Sequence, residues 1–244
     1  MNKSNQNQTP NPDKTCGNIK DQTPNPDKTC SNIKDQVQNS DKTCGAVIVS
    51  GGLNSRMGGN NKAFLKIGGK TILSGLIDTL EKFFDEILLV TKTPAEYSDY
   101  PVKTVTDLYE DQSSLTGIHS GLYHTNSYFS FVVPCDTPFI QPSIIRLLLD
   151  SIESEDDVVI PHYDGHYEPL CAIYSKRCIP KIENLINSKD YRIYNFFHAV
   201  NLKIINKEML TKADPEMLSF FNINTPEALT TSLKVATILR NKRP

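Results

Sequence analysis

The sequence has no long apolar run, and this absence excludes a protein with a membrane-spanning helix. Such a helix needs about 18 consecutive apolar residues, and no stretch of this 244-residue chain approaches that length. The polar N-terminus also lacks the apolar core of a secretory signal peptide. We therefore predict a cytoplasmic protein with no membrane partner.

A surplus of basic residues is also missing. The chain carries 26 Lys and Arg against 28 Asp and Glu, which gives a net charge of −2 at pH 7. Nucleic-acid binding draws much of its affinity from basic side chains on the phosphate backbone, so we expect no nucleic-acid partner. Of the six cysteines, the first three have a C-x13-C-x13-C spacing that matches no zinc motif. We expect free thiols because the cytoplasm is reducing.

The N-terminal segment is a tandem repeat with almost no apolar residues. The stretch QTPNPDKTCGNIKD, which starts at Gln8, returns nearly unchanged from Gln22, a period of 14 residues, and a partial third copy starts at Gln36. One isoleucine per repeat cannot bury enough surface to offset the chain entropy lost on folding. We interpret residues 1–43 as a disordered polar tail and residues 44–244 as one folded domain. The alternative is a tail that binds a partner or a metal.

Apolar runs alternate with helical patterns after Gly45. Strands are predicted at residues 46–49, 86–91, 102–106 and 129–133, and helices at 71–84, 115–124 and 142–152. Further on, Asp164-Gly165 between two strand-like runs predicts a hairpin. A helix at 179–186, a strand at 202–205 and a helix at 226–239 follow. This alternation predicts a Rossmann-like, doubly wound α/β fold with a mostly parallel sheet in a three-layer α/β/α arrangement.

In such sheets the ligand lies at the carboxyl ends of the strands. Three places qualify by position alone: the segment after Val49, Asp107, and Asp136. The first reads GGLNSRMGGNNK from Gly51 to Lys62. Glycines allow backbone N–H groups to approach phosphate oxygens, and Arg56 and Lys62 add two cations suited to a triphosphate. Taken alone, the segment equally fits an ordinary surface loop.

The full string is more specific, because it resembles the signature L-x-G-G-x-S-x-R-M-G-x-x-K of the molybdenum cofactor guanylyltransferases, with Val49 in place of the first Leu. The resemblance extends over residues 45–240. It implies a nucleotidyltransferase domain that moves GMP from GTP onto Mo-molybdopterin and releases pyrophosphate. It also implies Mg²⁺ as cofactor, and molybdoenzymes or cofactor-synthesis proteins as partners.

The same resemblance implies roles for particular residues. Arg56, Lys62 and Asp136 would be catalytic, and Asp136, in the segment Pro134–Phe139, would bind the metal. The residues implied at the nucleotide site are Val49, Ser50, Gly51, Gly52, Lys62, Thr91, Asp107, Gly117 and Asp136. The residues implied at the acceptor site are Tyr163, Tyr167, Asn222 and Asn224.

Several readings stay open. Asp136 could cap the next helix, Asp107 could form an Asx-turn, and Asn222 and Asn224 could cap the last helix. Thr91 stands where some family members carry Asn, and Ser113 to Gly117 agrees with the usual G-P-L-A-G only at Leu115 and Gly117. The choice of base is therefore less secure than the reaction. A cytidylyltransferase, a sugar-1-phosphate nucleotidyltransferase or a non-catalytic nucleotide-binding protein are the alternatives.

Overall fold

The computed structural model describes residues 43–50, 61–223 and 225–241. Four of the predicted site residues, Gly51, Gly52, Arg56 and Asn224, lie outside these ranges, as does the predicted tail up to residue 42. No helix in the described part of the chain is long and apolar enough to cross a membrane.

Ten strands are present in the described residues. They are β1 (Cys44–Ser50), β2 (Lys66–Ile67), β3 (Lys70–Thr71), β4 (Ile87–Thr91), β5 (Lys103–Thr106), β6 (Phe129–Pro134), β7 (Val158–Tyr163), β8 (His166–Tyr167), β9 (Ala172–Ser175) and β10 (Leu202–Asn206). The main sheet has the order β10-β7-β9-β6-β1-β4-β5, with β8 paired to β7, and β2 and β3 form a separate small hairpin.

Strand β1 lies inside the sheet and is buried on both faces. It runs parallel to β4 on one side and to β6 on the other, and Val47 and Ile48 are both fully buried. A strand covered on both faces reads as a continuous apolar run, which is why this sequence shows no alternation between residues 46 and 49. The sheet is mostly parallel. The exceptions are β9, which runs antiparallel to β6 and β7, and β8, which runs antiparallel to β7.

Helices cover both faces of the sheet. They are α1 (Ile72–Leu80), α2 (Ser114–His124), α3 (Pro142–Asp150), α4 (Ile179–Asn187), α5 (Lys207–Ala213) and α6 (Pro226–Asn241). Side chains of α1, α3 and α5 enter one buried cluster, on the face of Ile48. Those of α2 and α4 enter a second cluster, on the face of Val47. The predicted three-layer doubly wound fold is confirmed.

The structure agrees with the predicted local signals and adds elements to them. Thr71 caps α1, since its Oγ1 accepts a hydrogen bond from Ser74 N at 3.1 Å. Asp164 and Gly165 have φ values of 49° and 82°, the left-handed pair that a tight hairpin requires. The sequence analysis did not predict α5 or the β2-β3 hairpin, because both are too short to show a period.

Two glycines let α2 lie close against β1. A Cβ at Gly117 would come within 2.5 Å of Val49 Cγ1, and a Cβ at Gly121 would overlap Val47 Cγ1. Val47 and Val49 are buried and β-branched, so neither can turn away easily. Helix α2 can therefore lie this close to β1 only because Gly117 and Gly121 have no side chains.

We expect Gly121→Ala to lower the free energy of unfolding by about 1–3 kcal/mol, because the added methyl overpacks the α2–β1 contact. Gly75→Ala is the matched control, since Gly75 also lies within a helix but has open space around its Cα. That variant should raise the free energy of unfolding by roughly 0.4–1 kcal/mol, because alanine has less conformational freedom than glycine in the unfolded chain. Urea unfolding measures both, and equal effects of the two substitutions would contradict the packing argument.

Candidate active site

The carboxyl ends of the neighbouring strands meet at one edge of the sheet. Ser50 of β1 pairs with Thr91 of β4, and Thr91 pairs with Thr106 of β5. On the other side Val49 pairs with Pro134, so Asp136 lies two residues beyond that edge. Parallel hydrogen bonding thus gathers the segments singled out in the sequence into one region.

Lys62 and Asp136 form an ion pair at this edge. Lys62 Nζ lies 3.5 Å from Asp136 Oδ2, and the two side chains are only 14% and 17% exposed. Lys62 begins a short 3-10 turn, Lys62–Phe64, which Asn61 caps by accepting a hydrogen bond from Ala63 N at 3.1 Å. Burial of Ala63 anchors this turn to the core. The structure therefore brings together two of the three predicted catalytic residues, and the third, Arg56, lies outside the described residues.

Burial sets the electrostatics of the pair. Removal from water raises the pKa of Asp136, and the ammonium of Lys62 opposes that rise. Beside them, burial and then the charge of Asp136 raise the pKa of the Cys135 thiol to about 12. Cys135 is therefore a neutral thiol at physiological pH, and its Sγ lies 3.5 Å from Ser50 Oγ.

Asp136 fits a metal that is held mainly by phosphate. The described residues contain no cluster of three or more His, Cys, Asp or Glu side chains that would hold a metal by themselves. Mg²⁺ commonly takes one or two carboxylates and completes its shell with substrate phosphates and water. A single half-buried carboxylate at the edge of the sheet matches that donor set.

A pocket of about 140 Å³ lies at the same edge of the sheet, and Asn61, the residue before Lys62, is part of its lining. It is lined by residues from the ends of β1, β4 and β5 and from the start of α2: Val49, Ser50, Asn61, Val90, Thr91, Lys92, Thr93, Glu96, Tyr97, Asp107, Gln112, Ser113 and Gly117. Five of these, Val49, Ser50, Thr91, Asp107 and Gly117, are among the predicted nucleotide-binding residues. Thr91 is buried, and its hydroxyl accepts a hydrogen bond from Thr93 N at 3.2 Å.

Asp107 is held in place by helix α2. Its Oδ2 accepts from Thr116 Oγ1 and its Oδ1 from Ser120 Oγ, both at 2.9 Å. Oδ1 also accepts from Tyr109 N at 3.2 Å, which is the Asx-turn considered as an alternative. The two readings are compatible, because the residue that forms this turn also lines the pocket.

The segment before α6 contacts the metal-binding segment. Asn222 Oδ1 accepts a hydrogen bond from Thr137 Oγ1 at 3.1 Å, and Ile223 N donates to Asp136 O at 3.4 Å. Asn222 therefore lies close to Asp136.

The β7–β8 hairpin extends from the same edge of the sheet. Ile173 of β9 pairs with Phe131 of β6 and with Val159 of β7, so Tyr163 stands at the level of Cys135. Tyr163 Oη donates to Glu168 Oε1 at 2.8 Å.

The two tyrosines of this hairpin lie on opposite faces of the sheet. The Tyr163 ring packs on Phe220, with centroids 5.2 Å apart, in the cluster on the Ile48 face. The Tyr167 ring meets Phe197 edge-on at 5.5 Å, in the cluster on the Val47 face. The two predicted acceptor residues are therefore close in sequence but do not face each other.

Sequence reasoning missed Tyr97 and Asn61. Tyr97 is 1% exposed, and its hydroxyl lies 2.5 Å from Ser50 Oγ and 2.7 Å from Asn61 Nδ2. Tyr97 ends a 3-10 turn, Pro94–Tyr97, that follows the end of β4. The strand-end rule pointed to this region, but nothing in the local sequence marks the tyrosine.

A protein-family model described as a MobA-like NTP transferase domain matches residues 46–203. The chain belongs to this family. It is therefore a nucleotidyltransferase, an enzyme class that uses a divalent metal, and the family predicted from the sequence is confirmed.

Named relatives agree with this assignment. The molybdenum cofactor guanylyltransferase of Desulfosudis oleivorans is 36% identical over 183 residues, which cover 75% of this chain and 91% of that protein. A probable molybdenum cofactor guanylyltransferase of Natranaerobius thermophilus is 33% identical over 189 residues, 75% of this chain and 92% of that one.

Solved structures agree as well. The molybdopterin-guanine dinucleotide biosynthesis protein A of Archaeoglobus fulgidus superposes with a TM-score of 0.70 at 27% identity, over 79% of this chain and 98% of that chain. A 2-C-methyl-D-erythritol 4-phosphate cytidylyltransferase of Thermus thermophilus shares the fold alone, with a TM-score of 0.57 at 14% identity over 80% and 99% of the two chains.

Substitutions at Asp107 separate its two roles. Asp107→Ala removes the acceptor of the Ser120 hydroxyl and of Tyr109 N, whereas the Thr116 hydroxyl keeps Ser113 O at 2.9 Å. We therefore expect a loss of about 1–3 kcal/mol in the free energy of unfolding. Asp107→Asn keeps an acceptor oxygen and should lose less than half of that, while the increase in melting temperature on adding GTP becomes smaller. Urea unfolding and thermal shift measure these effects. If GTP raised the melting temperature of Asp107→Asn as much as that of the parent protein, Asp107 would have only its structural role in the turn.

Proposed function

We propose that this enzyme transfers GMP from GTP to the molybdenum cofactor, Mo-molybdopterin, and releases pyrophosphate. The observation that carries the proposal is the Lys62–Asp136 pair, with 3.5 Å between Nζ and Oδ2, at the same carboxyl edge of the sheet as the pocket. The names of the relatives support the choice of guanine and of the acceptor. We place the reaction in the cytoplasm, with molybdoenzymes or other cofactor-synthesis proteins as the recipients of the product.

The nucleoside part of GTP binds in the pocket between β1, β4 and α2. Val49 and Gly117 both line this pocket, where α2 packs closely on β1. Ser50, Thr91 and Asp107 supply polar atoms around it. The triphosphate then extends toward Lys62, where backbone amides of Gly51 and Gly52 and the guanidinium of Arg56 bind its oxygens.

The acceptor phosphate attacks the α-phosphorus of GTP in line. A new P–O bond forms, the bond between the α-phosphorus and the α,β-bridging oxygen breaks, and pyrophosphate leaves with that electron pair. Lys62 and Arg56 stabilise the negative charge that moves onto the leaving group. No covalent enzyme intermediate is needed, because the acceptor brings its own anionic nucleophile.

Asp136 holds the metal ion, which we propose to be Mg²⁺. When bound, Mg²⁺ neutralises charge on the phosphate oxygens and so reduces the repulsion between two anions. Desolvation raises the pKa of Asp136, and the ammonium of Lys62 opposes that rise and so favours the ionised carboxylate.

The acceptor binds on the other side of Asp136. We propose Asn222, beside Thr137, and the hairpin residues Tyr163 and Tyr167 as its contacts. Asn224, the fourth predicted acceptor residue, lies outside the described residues. Because Tyr163 and Tyr167 lie on opposite faces of the sheet, each contacts a different part of the acceptor.

Nucleotide choice tests the proposed function directly. We expect GTP with Mg²⁺ to raise the melting temperature more than ATP, CTP or UTP, because a ligand at 100 times its Kd stabilises the native state by about 2.7 kcal/mol. With Mo-molybdopterin present, only GTP should release pyrophosphate quickly. Pyrophosphate release from CTP would assign the chain to cytidylyl transfer, and GTP binding without release would indicate a non-catalytic protein.

Lys62→Ala and Asp136→Asn test the two central roles. Lys62→Ala should cost ~2–4 kcal/mol of transition-state stabilisation, the usual loss for one preorganised electrostatic contact. Asp136→Asn should shift the Mg²⁺ titration of activity to higher concentration. Lys70→Ala is the matched control, because Lys70 pairs with Asp78 at an exposed site and should leave kcat unchanged. Normal turnover in Lys62→Ala, or an unchanged metal titration in Asp136→Asn, would remove that residue from the mechanism.

A further inference from the structure

One buried hydroxyl group joins two chain segments at the active site. Tyr97 Oη lies 2.5 Å from Ser50 Oγ and 2.7 Å from Asn61 Nδ2. Ser50 ends β1, and Asn61 precedes the turn that begins with Lys62. These are the residues immediately before and after the glycine-rich segment 51–60, so a single tyrosine contacts both of its flanks.

The Tyr97 ring is held rigidly. It lies at the end of the Pro94–Tyr97 turn and packs against Phe64 and Tyr100, with centroids 5.2 Å and 6.4 Å away. Phe64 belongs to the same short turn as Lys62. Tyr97 therefore contacts the Lys62 turn in two ways, through its hydroxyl on Asn61 and through its ring on Phe64.

One of the two hydrogen bonds of Tyr97 has a fixed direction. Burial raises the pKa of Tyr97, so the phenol keeps its proton at physiological pH. The side-chain nitrogen Nδ2 of Asn61 can only donate, and it donates to Tyr97 Oη and, at 3.2 Å, to Glu96 Oε2. Between Tyr97 Oη and Ser50 Oγ, either hydroxyl can be the donor.

We infer that Tyr97 is a positioning residue for nucleotidyl transfer, which fixes Ser50 and Asn61 and thereby aligns Lys62 with Asp136 and the phosphates. The inference rests on the proposed function of Lys62. Asn61 transmits the effect, because its Nδ2 is held by Tyr97 while its Oδ1 caps the turn that carries Lys62. Small displacements of a group that acts on the transition state reduce turnover strongly.

Tyr97→Phe removes only the hydroxyl and keeps the ring in its cluster. We expect kcat to fall about tenfold, because the charge-stabilising group becomes misaligned. We expect KM for GTP to change less than about threefold, because the pocket wall formed by Val49 and Gly117 is unchanged. Tyr100→Phe is the matched control: Tyr100 is in the same aromatic cluster, but its Oη lies 3.1 Å from Thr71 Oγ1, at the cap of α1. It should leave kcat unchanged.

A double-mutant cycle distinguishes positioning from general stabilisation. If Tyr97 acts through Lys62, then adding Tyr97→Phe to Lys62→Ala should lower kcat by less than about twofold, because coupled residues are not additive. Full additivity would overturn the inference, and so would normal kcat in Tyr97→Phe alone. Normal turnover of Lys62→Ala alone would instead overturn the proposed role of Lys62.

A second variant covers the case in which Tyr97→Phe folds poorly. Asn61→Ser keeps a side-chain oxygen that can cap the turn but removes the amide that reaches Tyr97. We expect the same fall in kcat, again with little change in KM and a melting temperature close to that of the parent protein. Unchanged kcat in a folded Asn61→Ser protein would overturn the inference.

Discussion

Parallel pairing of β1 with β4 and β6 is the constraint on which the rest of the site depends. Neighbouring parallel strands leave the sheet at the same edge, so the segments after Ser50, Thr91 and Pro134 have to begin side by side. Lys62 follows β1 in the chain, the Tyr97 turn follows β4, and Asp136 follows β6. No long-range attraction between these side chains is needed to assemble them, because the backbone hydrogen bonds of the sheet do so.

The Lys62–Asp136 ion pair can still interact with a ligand because it is only partly buried. Charges in water are screened and interact weakly, whereas fully buried charges cost several kcal/mol to desolvate. Lys62 and Asp136, at 14% and 17% exposure, lie between these limits. Their pairing balances charge locally, and the edge of the sheet still leaves both groups within reach of an anionic ligand.

Sequence reasoning predicted the parts of the fold that depend on local pattern. The apolar runs of β1, β4 and β6, the Thr71 cap and the Asp164-Gly165 turn are all marked by neighbouring residues, and the structure agrees with them. The predicted hairpin implies that the run after Asp164-Gly165 is antiparallel to β7, and β8 and β9 both run that way. The pairing of β9 with β6 could not be predicted, because its four buried residues carry no signal of a second neighbour.

The same difference holds for the site. Lys62 and Asp136 could be predicted because a motif and the strand-end rule marked each of them. Tyr97 could not, because its hydroxyl meets side chains that are 47 and 36 positions away in the chain. The Thr116 and Ser120 hydroxyls that hold Asp107 were missed for a related reason. Within a helix, an inward-facing Thr or Ser reads as an ordinary helical residue until its partner is known.

The close fit of α2 on β1 has a consequence for how the enzyme can vary. Gly117 and Gly121 set the height of the helix above the strand, and the same helix carries the hydroxyls that hold Asp107 and lines the nucleotide pocket. The packing of α2 on β1 and the shape of the nucleotide pocket therefore depend on the same contact. A larger residue at Gly117 or Gly121 would tilt or lift the helix. It would therefore alter substrate selectivity as well as lower stability.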